Sequence, residues 1–315
     1  MDAWAIQGFE FERIGSSIAQ GIGLTELVYP TTDGHVVAIP FGRVLQGCTD
    51  ALIEDGIVDE SFREIDWDMF EANMQTPENL PISFDECARI CRQFFAGRSR
   101  RELFELGLQK RVTLAPVNTL SELLGMEHME AREYWQATTL PNGQKVKSAG
   151  LWAKQDAFEM AVRRNAPGLG EHTAEIKEQL LSTSKTPVEL DIDDKLPFEG
   201  IKVADFAWVG VGPISAKYLA DHGADVVRVE SENRPDVLRG GVPMKDSEFG
   251  WNRSQFFGDL NTSKRILTLN MKSAESITPA KKLIGNADVF IESFAPSAVS
   301  RMGLGYDEVR KLNPG

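Results

Sequence analysis

Residues 201–230, IKVADFAWVGVGPISAKYLADHGADVVRVE, set two apolar runs on either side of a helix-like segment, with Gly210 and Gly212 at the first junction. This strand–turn–helix–strand order constrains the fold more than any other feature. An apolar run without polar alternation reads as a strand covered on both faces, and a helical crossover makes its neighbour parallel. The theme repeats: ILTLN at 266–270, a helix over 273–284, then ADVFIES at 287–293. Residues 196–315 therefore read as an open α/β layer, a parallel sheet with helices on its faces.

The glycine junction has a chemistry of its own. A tight turn between strand and helix brings backbone N–H groups close to an anion, and the helix start adds about half a positive charge. Gly210-Val211-Gly212 fits that role, and Pro213 suits a first helical turn, where its missing N–H costs nothing. Ser215 stands where the third glycine of a dinucleotide fingerprint belongs. The loop thus favours a phosphate or carboxylate without choosing among NAD, another phosphate-bearing ligand and a ligand-free turn.

The first half reads differently. Residues 1–28 have no strong periodicity, and Asp33-Gly34 marks a turn followed by a strand to residue 40. Helices are expected over 42–56, 83–96 and 99–109, then a strand over 111–119. Thr119 with Glu122 forms a capping box, opening a helix expected to run to residue 135. Asn142-Gly143 is a hairpin turn, and a short helix ends near Ser182. Residues 1–172 read as a mixed α+β unit. The polar, Pro-containing, acidic stretch from 183 to 195 reads as a linker.

A net charge of −13 argues against a general nucleic-acid binder, which needs a basic face. None of the apolar runs reaches the roughly 18 residues of a membrane span, and the acidic N-terminus lacks a signal-peptide core. The three cysteines, Cys48, Cys87 and Cys91, read as buried reduced thiols. With no His or Cys cluster to complete a metal site, the expectation is a cytoplasmic protein without a metal.

LPFEGIKVADFAWVGVGP, YLADHGADVVRVE, NTSKRILTLNMK, ADVFIESFAPSAVSRMGLGYDEV and LNP follow one another across 196–315. In that order and spacing they resemble the family III CoA-transferases, the group of carnitine–CoA transferase, formyl-CoA transferase and methylacyl-CoA racemase. YPTTDGHVVAIP, LAPVNTLSELLGMEHMEAREYW and RRNAPGLGEHTAEI resemble the C-terminal part of the same family. The resemblance therefore reads back to front: the end of one family domain at 1–182, a linker at 183–195, and the beginning of a second at 196–315. A slice through two tandem domains explains this better than a circular permutation, which would keep the middle of the fold.

The resemblance implies a Rossmann-like parallel sheet in the second half and CoA transfer between an acyl-CoA thioester and a carboxylic acid. CoA or acyl-CoA is then a substrate, with no tightly bound cofactor. In the family an aspartate attacks the thioester, giving a mixed anhydride and then an enzyme-bound CoA thioester, so one hard acyl transfer becomes several easier ones. The resemblance places that aspartate beyond the LNP motif. The expectation is no catalytic residue in this chain and no transferase activity for it alone; Asp205, Asp221 and Asp225 do not match the nucleophile. Family members are interlocked dimers, which implies an interlocked homodimer or a pairing of tandem domains within one chain.

Carried over position by position, Gly210 and Val211 match the loop whose backbone approaches CoA. Leu269 and Lys272 match residues lining the nucleotide, and Ser293, Phe294 and Ala295 match a turn beside the adenine end. Arg301 matches an arginine that meets the phosphates, a role its planar fork suits. Plainer roles stand beside these: Lys272 as a solvated strand-end lysine, Arg301 as a helix-surface charge, Phe294 as core. Lys264-Arg265 reads as an exposed basic pair, and His128 and His172 as non-catalytic. Many members carry a basic residue where this chain has Ser231, and Arg228 need not replace it because a strand alternates its faces. Three alternatives stay open: a non-catalytic CoA-binding or interaction module, a racemase-type member, and an NAD-dependent dehydrogenase. Ser215 and the lack of a dehydrogenase catalytic pair count against the last.

Overall fold

The computed structural model describes residues 13–20, 23–72, 79–140, 142–158, 160, 162–182, 195–241 and 243–314. They divide into two compact units, residues 13–182 and residues 195–314. All but Lys195 of the linker expected over 183–195 lies outside the described residues.

The first unit carries three small antiparallel sheets. One is built from β1 (Arg13–Ile14), β2 (Ser17–Gln20) and β3 (Gly23–Glu26). A second joins β4 (Val28–Thr31), β5 (Gly34–Val37) and β6 (Ala115–Pro116). Against it lie helices α1 (Arg43–Glu54), α2 (Trp67–Ala72), α3 (Phe84–Ala96) and α4 (Arg100–Lys110). In α3, Cys87, Ile90, Cys91, Phe94 and Phe95 are buried at helical spacing, the stripe by which an amphipathic helix meets a core. Tyr29, Leu45, Leu52, Phe70 and Leu103 complete that core. All three cysteines are free and buried in it, and burial pushes the Cys48 thiol up to about 11 and that of Cys87 up to about 12. The strand expected over 111–119 is only two residues long; Pro116 has no N–H to donate to a longer ladder.

The capping box forms, with Thr119 and Glu122 bonding reciprocally, but the single helix expected to residue 135 does not. It is split into α5 (Leu120–Leu124) and α6 (Glu127–Ala131), with Gly125 closing the first. The expected hairpin is β7 (Trp135–Thr139) with β8 (Lys145–Ala149); Gly143 takes the positive φ, 83°, that its turn requires. Helix α7 (Thr173–Ser182) follows.

Glu122 also accepts from Arg100, at 2.6 and 3.0 Å. The Arg100 guanidinium, with the Thr119 amide and hydroxyl, holds the Glu122 carboxyl down at about 2. A carboxyl lowered on folding stabilises above its ordinary value of 4.5, and that contribution is lost as pH falls toward about 2. Glu122→Gln is therefore expected to flatten the acid limb of this unit's stability across that window, read as thermal midpoint against pH. An unchanged acid limb would contradict the assignment.

The second unit is the α/β layer. Four strands run parallel in the order β11-β10-β9-β12: β9 (Lys202–Asp205), β10 (Asp225–Glu230), β11 (Arg265–Thr268) and β12 (Val289–Ile291). Helix α8 (Val211–Asp221) connects β9 to β10. Short helix α9 (Gln255–Leu260) precedes β11, and α10 (Ile277–Gly285) connects β11 to β12. Helices α11 (Ala298–Arg301) and α12 (Tyr306–Leu312) follow. On one face Ala204, Phe206 and Val229 pack with Ala280 and Ile284 of α10. On the other, Val203 and Val226 pack with Ala216 and Ala220 of α8, whose small side chains let the helix lie close to the strands.

Candidate functional site

Strand order reverses at β9. The chain moves outward through β10 and β11, then returns to place β12 on the far side of β9. In open parallel sheets such a reversal parts the loops beyond the strand ends and leaves a crevice suited to a ligand. The loops at this reversal are residues 206–212 after β9 and residues 292–295 after β12, joined by the bond from the Trp208 N–H to Ser293 Oγ at 2.9 Å.

The loop after β9 is fixed by side chains. The Ala207 N–H donates to Asp205 Oδ1 at 3.0 Å, that of Trp208 to Ser293 Oγ at 2.9 Å, and that of Val209 to Asp236 Oδ2 at 3.1 Å. Three successive amides thus already have side-chain acceptors. Gly210 caps α8, and the amides of Val211 and Gly212 belong to its first turn, where a helix has no acceptor of its own. Val209 sits at φ 66°, a conformation costly for a β-branched residue. Gly212 has no room for a side chain: an added Cβ would overlap Ala207 Cβ and lie 3.5 Å from Ser293 Cβ.

Behind this loop the carboxyl half of the α8 face is ionic rather than apolar. Asp205, Arg228 and Asp236 are fully buried. Arg228 pairs with Asp236, donates to Asn261 Oδ1 at 3.0 Å and lies 3.8 Å from Asp205. Lys264, its side chain also fully buried, donates to Asp205 Oδ2 at 3.0 Å, to the Pro213 carbonyl at 2.9 Å and to Asn261 Oδ1 at 3.0 Å. Burial pushes the Lys264 ammonium below its ordinary value, outweighing the pull of Asp205. The expected exposed pair is thus half right: Arg265 is exposed and bonded to Asp225, whereas Lys264 points inward. A strand-start lysine pattern cannot reveal that, because its partners lie 59 and 51 residues away.

A cavity of about 580 Å³ lies at the carboxyl ends of β10 and β11, lined by Glu230, Ser231, Arg239, Trp251, Asn252 and Thr268. Arg239 is already engaged. It grips Glu230 with two N–H groups, at 2.6 and 2.9 Å, and spends a third nitrogen on Trp251 O and Asn252 Oδ1. Burial pushes the Glu230 carboxyl up, but Arg239 and the Asp236 amide more than offset this and hold it below the ordinary range. Ser231 is buried in a turn, accepting from the Asn233 amide, and Arg228 is locked in its own pairs. Arg234, absent from the sequence expectations, is an exposed cation whose guanidinium lies 5.1 Å over the Trp208 ring.

The structure brings some expected site residues together. Gly210 and Val211 follow the Trp208 amide that Ser293 holds, and Phe294 lies with its ring 6.4 Å from that of Trp208. Phe294 and Leu269 are both half-buried against the α10-face core. Ala295 is exposed in the same turn, and Lys272 is exposed in the turn after β11. Arg301 is exposed at the end of α11 and donates to Ser297 Oγ at 2.5 Å. His128 is exposed on α6, and the His172 ring is 3.9 Å from Glu171. Among the described residues, no group of three or more His, Cys, Asp or Glu side chains is arranged to hold a metal, and no helix is long and apolar enough to cross a membrane.

Comparison with known proteins adds family information. The model for CoA-transferase family III matches residues 17–173 and 198–315. The chain is 39% identical over 120 residues to an acyl-CoA transferase of Fusarium pseudograminearum, covering 36% of this chain and 26% of that protein. It is 34% identical over 125 residues to succinyl-CoA:glutarate CoA-transferase of Mus musculus, covering 39% and 28%. It is 37% identical over 121 residues to formyl-CoA:oxalate CoA-transferase of Escherichia coli O6:H1, covering 38% and 27%. The matched segments thus span little more than a quarter of those relatives.

Proposed function

The chain belongs to CoA-transferase family III, and on that premise we propose that it supplies the CoA-holding part of an enzyme that moves CoA between an acyl-CoA thioester and a carboxylic acid. The observation that carries this reading is the fixed loop at the strand reversal. Three amides already paired with side chains leave Gly210 and Val211 to present N–H groups at a helix start, where a phosphate is favoured. Val209 supports it too, since strain of this kind persists where the surroundings impose it and gathers at ligand sites.

In this reading Gly210 and Val211 meet the pyrophosphate, Ser293, Phe294 and Ala295 form the wall of the adenine end, and Leu269 and Lys272 line the nucleotide. Arg301 and Arg234 supply positive charge. Arg234 takes the part that Ser231 leaves empty, because Arg239 and Arg228 are neutralised by Glu230 and Asp236. Asp205 and Asp236 are buried in ion pairs with Lys264 and Arg228, so neither is assigned as a nucleophile. The chain is then inactive alone, its two units being the end of one family domain and the start of another in a tandem arrangement. The division of the family match into two stretches supports this. Completion comes from pairing with complementary family domains, in the same polypeptide or in a second copy.

The test is to incubate the purified chain with an acyl-CoA and a carboxylate acceptor, and to titrate it with CoA by calorimetry. Saturable CoA binding without transfer is expected, weakened roughly tenfold in Arg234→Ala, about the worth of one charge-assisted contact. Robust turnover would contradict the assignment of no nucleophile, and binding of NADH without CoA would contradict the ligand.

A further inference from the structure

We propose that Lys264 is a positioning residue for the ligand loop: through Asp205 and Pro213 it fixes the start of α8 in the geometry that receives CoA. This rests on the CoA reading of the same site. Lys264 spans both ends of the loop, which no other described cation does. Its bond to Asp205 Oδ2 steadies the carboxylate whose other oxygen holds the Ala207 amide. Its bond to the Pro213 carbonyl holds the first turn of α8, one residue beyond Gly212. Its bond to Asn261 Oδ1 joins it to Arg228, and Arg228 bonds Asp236, which holds the Val209 amide.

An ammonium has three protons, and Lys264 directs one to each of three acceptors on separate segments. That arrangement fixes direction as well as distance. Burying such a charge does not favour folding over a well-packed apolar side chain. What it supplies is a defined position for the Asp205 carboxylate and the Pro213 carbonyl, one at each end of residues 207–212. Lys264 does not face the cavity: its side chain is fully buried behind the loop. Its effect on the ligand therefore passes through backbone amides.

The experiment separates positioning from stability. Lys264→Met leaves Asp205 without its ammonium, so some loss of thermal stability is expected. In Asp205→Leu/Lys264→Met both charges are gone, and replacing a buried ion pair by apolar side chains is often neutral or stabilising. The thermal midpoint is expected to recover toward that of the parent chain, while CoA affinity stays on the order of tenfold or more below it, the worth of one charge-assisted hydrogen bond. Hydrogen exchange of the Ala207 amide in the ligand-free Lys264→Met chain is expected to speed up by roughly tenfold, since its acceptor is no longer anchored. Full recovery of CoA affinity in the double variant would overturn the proposal, as would unchanged Ala207 exchange in Lys264→Met. If the parent chain failed to bind CoA, the ligand reading would fall, while the exchange measurement would still decide the role of Lys264.

Discussion

Asp236→Ala is expected to destabilise the C-terminal unit by roughly 3–5 kcal/mol, the cost of leaving one charge of a buried pair alone. Arg228 is fully buried, and its Nε already lacks a partner. Asp236 is its close ion partner and also accepts the amides of Val209, at 3.1 Å, and Leu238, at 2.9 Å. The truncation leaves the buried guanidinium with Asn261 and the more distant Asp205, which Lys264 shares, and frees two backbone donors at once. The exposed pair of Arg265 with Asp225 provides the control: Arg265→Ala should cost less than about 1 kcal/mol, because solvent screens both charges. The slowest-exchanging amides of β9 and β10 report opening of this unit separately from the other. A loss in Asp236→Ala no larger than in Arg265→Ala would contradict the buried network.

Gly212→Ala is the second large effect. The new methyl would occupy the space of Ala207 Cβ, so α8 would have to move away from the end of β9. Overpacking of this kind costs roughly 1–3 kcal/mol. The helix start would shift with it, so CoA affinity should fall by roughly tenfold or more, the worth of one charge-assisted hydrogen bond. Gly258 in α9 is the contrasting site, with open space where a Cβ would go. Gly258→Ala should stabilise by about 0.5–1 kcal/mol, as alanine does in a helix interior. CoA binding by Gly212→Ala equal to that of the parent would mean that the ligand does not use this loop.

The α/β layer was legible because each of its strands is an apolar run separated from the next by turn residues and a helix. The same physics predicted α3, whose buried side chains recur at helical spacing. Legibility stopped where the structure depends on partners far apart in sequence. Residues 231–264 are polar and carry no period, yet they supply Asp236, Arg239, Asn261 and Lys264. One signal was present: Arg228 lies between Val227 and Val229 in a strand covered on both faces, and Asp205 ends another. A charge in such a strand requires a buried counter-charge, so partners were implied even though they could not be named. The break at Gly125 was a local matter, since a glycine can end a helix whose capping box starts it well.

On the proposed function, CoA lies against the loop after β9 and the turn after β12. Titrating isotope-labelled chain with CoA, and following every assigned backbone amide by NMR, tests it most directly. Saturable shifts concentrated at Gly210, Val211, Gly212 and Ser293 to Ala295 are predicted. No saturable shift, or shifts confined to residues away from both segments, would contradict the claim.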